Sequence, residues 1–165
     1  MTSSGARGEL IVVGVDGSSG ADAALDHALR AGLEQGSLVE VVTGWLSVSS
    51  PHAQSPSELA QGRLVVQRVQ DDAIERSVQR LGALPAVTRT VVHDYAGRVL
   101  VARAEQASLL VVGAGSLGST SAKMLGSVSE YCVRHSPVPD VVVPDPERLR
   151  RRHGAAEALA AVSGS

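Results

Sequence analysis

The stretch Gly113-Ala114-Gly115-Ser116-Leu117-Gly118 follows a short apolar run, and Gly126-Ser127-Val128-Ser129 lies a few residues beyond it. These residue types suit anion binding. Glycines let backbone N–H groups approach a phosphate, serine hydroxyls donate to it, and the first amides of a helix together with its dipole favour negative charge. The first stretch spells G-x-G-x-x-G, but the dinucleotide fingerprint sits between the first strand and its helix, with an acidic residue about 20 positions later. Here the glycines follow the fourth apolar run, Ser119-Thr120-Ser121 intervene before any helical pattern, and position 133 is valine. A second parsing accounts for more of the loop: Gly113, two residues, Ser116, nine residues, then Gly126-Ser127. Gly113 would end a strand where a side chain obstructs a ligand, and Gly126 would present its N–H beside the unpaired amides of the next helix.

Other residues with chemical potential have simpler readings. Asp16, in Asp16-Gly17-Ser18-Ser19, either tightens the turn into a helix or faces a ligand across from the Gly113 loop. Ser127-Val128-Ser129-Glu130 is also an S-x-x-E capping box, so Ser127 caps the helix, contacts phosphate, or does each in turn. His27, His52, His93, His135 and His153 form no close pair at metal-ligand spacing. No G-x-S-x-G elbow occurs, and no catalytic residue is assigned. Cys132 reads as a small buried hydrophobe. Lys123 and the arginines from 148 to 152 read as solvated cations.

The elements that must position these residues follow from the pattern of apolar runs. Residues 10–15, 38–44, 87–93, 109–112 and 141–143 are strands, the first being apolar on both parities, as in a parallel sheet covered on both faces. Between them, Ala21, Leu25, Ala28 and Gly32 recur at helical spacing, and Val66, Val69, Ala73, Val78 and Leu81 mark one side of a long helix. Shorter helices span about 96–106 and 127–135, and the Ser/Pro-rich segment through Ser57 is a surface loop. Five strands alternating with four helices indicate an α/β fold: a single-domain, open five-stranded parallel sheet with helices on both faces, Rossmann-like. Ligands in such sheets sit beyond the carboxyl ends of the strands where strand order reverses. Residues 1–8 are read as a disordered N-terminus, 9–144 as the domain, and 145–165 as a flexible tail.

Composition narrows the function. The chain has 165 residues and a formal net charge of −2, which gives no overall field for nucleic acid or an anionic membrane surface. Aromatic residues are only 2%, too few for base-stacking platforms. No apolar run approaches the roughly 20 residues of a membrane helix, and no export pattern opens the chain. One cysteine permits no internal disulfide, so a cytoplasmic protein is expected.

Across residues 9–144 the chain resembles the universal stress protein family. Four segments carry the resemblance: Val15-Asp16-Gly17-Ser18, Ala107-Ser108-Leu109-Leu110-Val111-Val112-Gly113, Leu125-Gly126-Ser127-Val128-Ser129, and His135-Ser136-Pro137-Val138-Pro139. The resemblance implies a stress-response, adenine-nucleotide-binding module rather than an enzyme. ATP is the expected ligand, with AMP and cyclic AMP as the other adenine nucleotides it admits and Mg2+ as a companion to the phosphates. It places Gly14, Val15 and Gly44 at the adenine pocket and Asp16 near the ribose or a phosphate-bound metal. Gly113, Ser116, Gly126, Ser127, Val128 and Ser129 then surround the ribose and phosphates. Ser116 departs from the family's second glycine, and its Cβ penalises positive φ by roughly 1–2 kcal/mol. The alternative reading is accordingly a universal stress protein that binds no nucleotide and acts through protein partners. The family also implies a homodimer through the last strand, where Asp140 replaces an apolar residue and a charge opposes strand-to-strand pairing.

Overall fold

A computed structural model describes residues 9–47, 55–115 and 125–163. Its strands are β1 (Leu10–Gly14), β2 (Leu38–Gly44), β3 (Val87–Val92), β4 (Leu109–Gly113) and β5 (Asp140–Val143). All neighbours pair in parallel in the order β3-β2-β1-β4-β5, with Val13 opposite both Val41 and Val111. The inner strands β1 and β4 are apolar on both parities, as strands covered on both faces are, while the third inner strand, β2, also buries Glu40 and Thr43.

Helices α1 (Ser19–Gln35) and α2 (Pro56–Leu81) cover one face, and α3 (Ala96–Ala104) and α4 (Ser127–His135) cover the other. Ile11, Val13 and Val15 pack with Ala24, Leu25, Ala28 and Leu29 of α1. Val12, Val42 and Val112 pack with Val99, Leu100 and Cys132 of α3 and α4. The aliphatic core is thus split by the sheet into two layers. Burial pushes the Cys132 thiol up to about 12, with the Asp140 charge adding to the effect, as expected for a packing residue.

Helix ends follow local chemistry. Ser18 caps α1 by accepting the Ala21 amide, and Gly36 ends it at φ 66°. A capping box of Ser55 and Glu58 opens α2 within the segment read as loop, with Pro56 in its first turn. The covered side of α2 also differs from the apolar pattern. Gln70, Ala73 and Ser77 are buried, whereas Val78 is 37% exposed. The cause is polar: Gln70 Nε2 lies 3.0 Å from the Val41 carbonyl, 3.1 Å from Thr43 Oγ1 and 3.2 Å from the Thr90 carbonyl. Those bonds rotate the helix toward its glutamine.

Beyond β5 the expectation of a flexible tail is corrected: Pro146–Ser163 forms a helix, α5. Asp145 and Pro146 are the cap and first-turn residues that start it, the Asp145 carboxylate accepting the Glu147 amide at 2.9 Å. Residues 1–8, read as a disordered N-terminus, lie outside the described residues. No helix among the described residues is long and apolar enough to cross a membrane.

Two substitutions test this packing. A Cβ on Gly113 would stand 2.6 Å from the carbonyl carbon of Gly20 and 2.9 Å from the Ala21 nitrogen, so backbone must shift to admit it. Gly113→Ala is expected to destabilise the fold by about 1–3 kcal/mol in urea unfolding; an unchanged midpoint would show that α1 and β4 are not in contact. At the β5 edge, Asp140 Oδ1 is buried without a hydrogen-bond partner among the described residues. Burial raises the Asp140 pKa against an opposing contribution from the Ser136 hydroxyl. The folded state therefore binds this proton more tightly than the unfolded chain, and the charge lowers stability as pH rises through the folded value. Asp140→Asn should stabilise the protein at pH 7, with the gain vanishing below the ordinary aspartate range near about 3.9. A gain independent of pH would contradict the burial of this charge.

Candidate functional site

Strand order reverses between β1 and β4, since the chain leaves β1 toward β2 and leaves β4 toward β5 on the other side. The helices that follow these two strands, α1 and α4, lie on opposite faces, which opens a crevice beyond the carboxyl ends of β1 and β4. A concavity of about 510 Å3, part of it open to solvent, occupies this crevice. Gly14, Val15 and Asp16 line it from the end of β1, Val42 and Gly44 from β2, and Ala96 and Leu100 from α3. Gly113 and Gly115 line it from the end of β4, and Gly126, Val128 and Ser129 from the start of α4. The walls are apolar beside β2 and α3 and polar beside α4, an arrangement suited to a flat apolar ring carrying a polar or anionic substituent.

Eight of the ten residues singled out from sequence meet at this one concavity: Gly14, Val15, Asp16, Gly44, Gly113, Gly126, Val128 and Ser129. Ser127 is not part of the lining; its side chain is exposed, and its carbonyl accepts the Tyr95 hydroxyl at 3.1 Å. Ser116 lies outside the described residues.

Several expected roles change in detail. The N-cap of α4 is Gly126, at φ −63° and ψ 157°, one residue before the serine of the expected capping box. Ser127 therefore occupies the first helical position and makes no cap bond. The Gly126 amide is not presented to the concavity; it donates to the Ala114 carbonyl at 3.2 Å and ties the loop ends together. Among the described residues, the donors without a partner are instead the amides of Ser127, Val128 and Ser129, the first three of the helix. Ser129 Oγ donates to the Gly126 carbonyl at 2.9 Å, so its hydroxyl braces the turn. Gly113 is small because α1 packs on it, as the Gly20 contact shows, and not for the sake of ligand space. Gly44 is comparable: a Cβ there would meet Ala96 Cα at 2.5 Å.

Asp16 performs the turn-tightening role and also faces the concavity. Its Oδ1 accepts the Ser18 amide at 3.0 Å and the Ser18 hydroxyl at 2.6 Å, which orients Ser18 to cap α1. Asp16 is exposed and lines the concavity.

Three supporting residues were not anticipated from sequence. The Thr43 hydroxyl donates to the Val15 carbonyl at 2.8 Å and accepts from Gln70, so a buried relay from α2 fixes the peptide that precedes Asp16. Tyr95 packs edge-on against Tyr131 at 5.4 Å while its hydroxyl holds the first turn of α4. A threonine in a strand, a glutamine in a helix and a tyrosine at a helix start carry no spacing signal that marks them as partners.

Comparison with known proteins agrees with this geometry. Residues 9–144 match the universal stress protein family. The universal stress protein Rv2623 of Mycobacterium tuberculosis is 32% identical, covering 94% of this chain and 54% of its own length, so the chain spans about half of that relative. Among solved structures, UspA from Lactobacillus plantarum superposes with a TM-score of 0.66 at 20% identity, covering 84% of this chain and 99% of the other. A universal stress protein in complex with cAMP gives 0.65 at 22%, covering 85% and 99%. One from Archaeoglobus fulgidus in complex with dAMP gives 0.55 at 19%, covering 83% and 98%. At these identities the structural likeness speaks for the fold. With a family match spanning residues 9–144 and the same α/β architecture, the chain belongs to the universal stress protein family.

Proposed function

We propose that the chain is an adenine-nucleotide-binding module of the stress response, with ATP as its ligand, and that it acts in the cytoplasm through ligand-dependent stability or partner choice instead of rapid turnover. The observation that carries this reading is the convergence of the α4 amides and the apolar wall of β2 and α3 on one concavity at the strand-order reversal. Adenine would lie against Val42, Gly44 and Leu100, ribose beside Asp16 and Gly113, and phosphate at the start of α4. The relatives solved with cAMP and dAMP support an adenine nucleotide.

Asp16 fits the role of a magnesium ligand, because Mg2+ in nucleotide sites takes one or two carboxylates together with phosphate oxygens. One Asp16 oxygen is engaged by Ser18, which fixes the carboxylate at the edge of the concavity and leaves the other oxygen for a metal. The metal would supply charge neutralisation for the phosphates. A homodimer through β5, an edge of the sheet, belongs to the same reading.

Differential scanning fluorimetry with and without ATP and Mg2+ tests the proposal, since selective binding to the folded state raises its melting temperature. At ATP 100-fold above its Kd the stabilisation should be about 2.7 kcal/mol. Gly126→Val is the matched control. The backbone angles at Gly126 are open to a branched residue, so the variant should fold, while its side chain would fill part of the concavity. Loss of the ATP shift with an unchanged ligand-free melting temperature is expected. No shift in the wild type at saturating nucleotide would favour the protein-partner reading.

A further inference from the structure

The concavity lacks positive charge on its described lining, which includes the Asp16 carboxylate and no lysine or arginine side chain. A nucleoside polyphosphate brings several negative charges, and one helix N-terminus offsets only about half an elementary charge. The start of α1 cannot make up the difference. Ser18 caps it, and Ser19 Oγ donates to Asp145 Oδ1 at 2.9 Å, so a carboxylate already sits at that helix end.

The Asp145 contact has a second effect, because Asp145 also starts α5. Its Oδ1 accepts the Glu147 amide and its carbonyl accepts the Leu149 amide at 3.1 Å, so the first turn of α5 is fixed against the first turn of α1. That turn carries Arg148 inward. Arg148 is half-buried while its neighbours Glu147, Leu149 and Arg150 are exposed. Arg148 Nη1 stands 2.8 Å from where a Cβ on Gly115 would lie, and Gly115 lines the concavity. The Gly115 carbonyl is in turn 3.2 Å from the corresponding position at Gly20. The glycine loop, the start of α1 and the start of α5 therefore meet at one corner, with a guanidinium at the rim.

Resting on the nucleotide reading above, we propose that Arg148 is a phosphate-binding residue, held over Gly115 by the Ser19–Asp145 tether so that the site selects adenosine polyphosphates over adenosine. The planar guanidinium offers paired N–H donors to phosphate oxygens distal to the ribose, a geometry that an ammonium group does not reproduce. The helix beyond β5 is thereby part of the binding site, and its first turn sets ligand class.

Calorimetric titration of the full chain with ATP, AMP and adenosine tests this assignment, using wild type, Arg148→Ala, Arg148→Lys and Arg151→Ala. Arg148→Ala should weaken ATP roughly 10- to 100-fold, the scale of lost charge-assisted hydrogen bonds, and leave adenosine within about twofold. Arg148→Lys should fall between, and Arg151→Ala, which removes the same formal charge from an exposed position, should match wild type. Should the alanine variant not fold, Arg148→Gln keeps most of the side-chain bulk and supplies the same comparison. An unchanged ratio of ATP to adenosine affinity in Arg148→Ala, or equal losses in Arg148→Ala and Arg151→Ala, would overturn the role of Arg148 and leave the nucleotide reading standing. A wild type that binds neither ATP nor adenosine would overturn both.

Discussion

Gly113 brings the end of β4 against the first turn of α1 so closely that no side chain fits between them. This backbone-to-backbone approach sets the geometry on which the site depends. It fixes where α1 begins relative to the strand-order reversal, and so where Asp16 and Ser18 stand. On the other face, Tyr95 and Ser129 hold the first turn of α4, whose Val128 and Ser129 line the same crevice. Two helix starts, one from each face, thus border one concavity, and the packing glycine lies between them. Glycine at a strand end that resembles a ligand-contact motif here has a packing cause.

Charge is arranged unevenly around that crevice. At α1 the helix dipole is met by Asp16 through Ser18 and by Asp145 through Ser19, so its positive end is neutralised from within the protein. At α4 the N-cap is a glycine without a side-chain acceptor, and the amides of Ser127, Val128 and Ser129 keep their capacity for an external anion. The two ends differ because their sequences differ: Asp16-Gly17-Ser18 supplies its own oxygens, and Gly126-Ser127 does not. The buried Gln70–Thr43–Val15 relay keeps the Asp16 turn in place.

Much of this was legible in the sequence, for reasons that can be named. Short apolar runs separated by helical patterns marked five parallel strands, and Ala21, Leu25, Ala28 and Gly32 all proved buried in α1. Glycine and serine spacing brought eight of ten expected residues to one place, because short loops at strand ends of a parallel sheet all open on the same edge. What was missed rests on side chains acting across long sequence separations. Val78 looked like core and is exposed, since Gln70 and not an apolar residue sets the rotation of α2. Asp145-Pro146 is a helix start, yet the arginines after it read as a solvated tail, and the bond of Asp145 to Ser19 fixes the turn that brings Arg148 beside Gly115. The S-x-x-E spacing at Ser127 makes no capping box, because Gly126 takes the cap and its amide closes the loop to Ala114.

The central claim is that the free amides at the start of α4 receive the phosphate of an adenine nucleotide. The most direct measurement is an amide chemical-shift titration of isotope-labelled protein with ATP, reading the resonances of Ser127, Val128 and Ser129 alongside Val15. The account predicts saturable shifts of those α4 amides, with adenosine moving Val15 but leaving the α4 amides nearly unchanged. Saturable binding that shifts amides elsewhere and leaves Ser127, Val128 and Ser129 in place would contradict it.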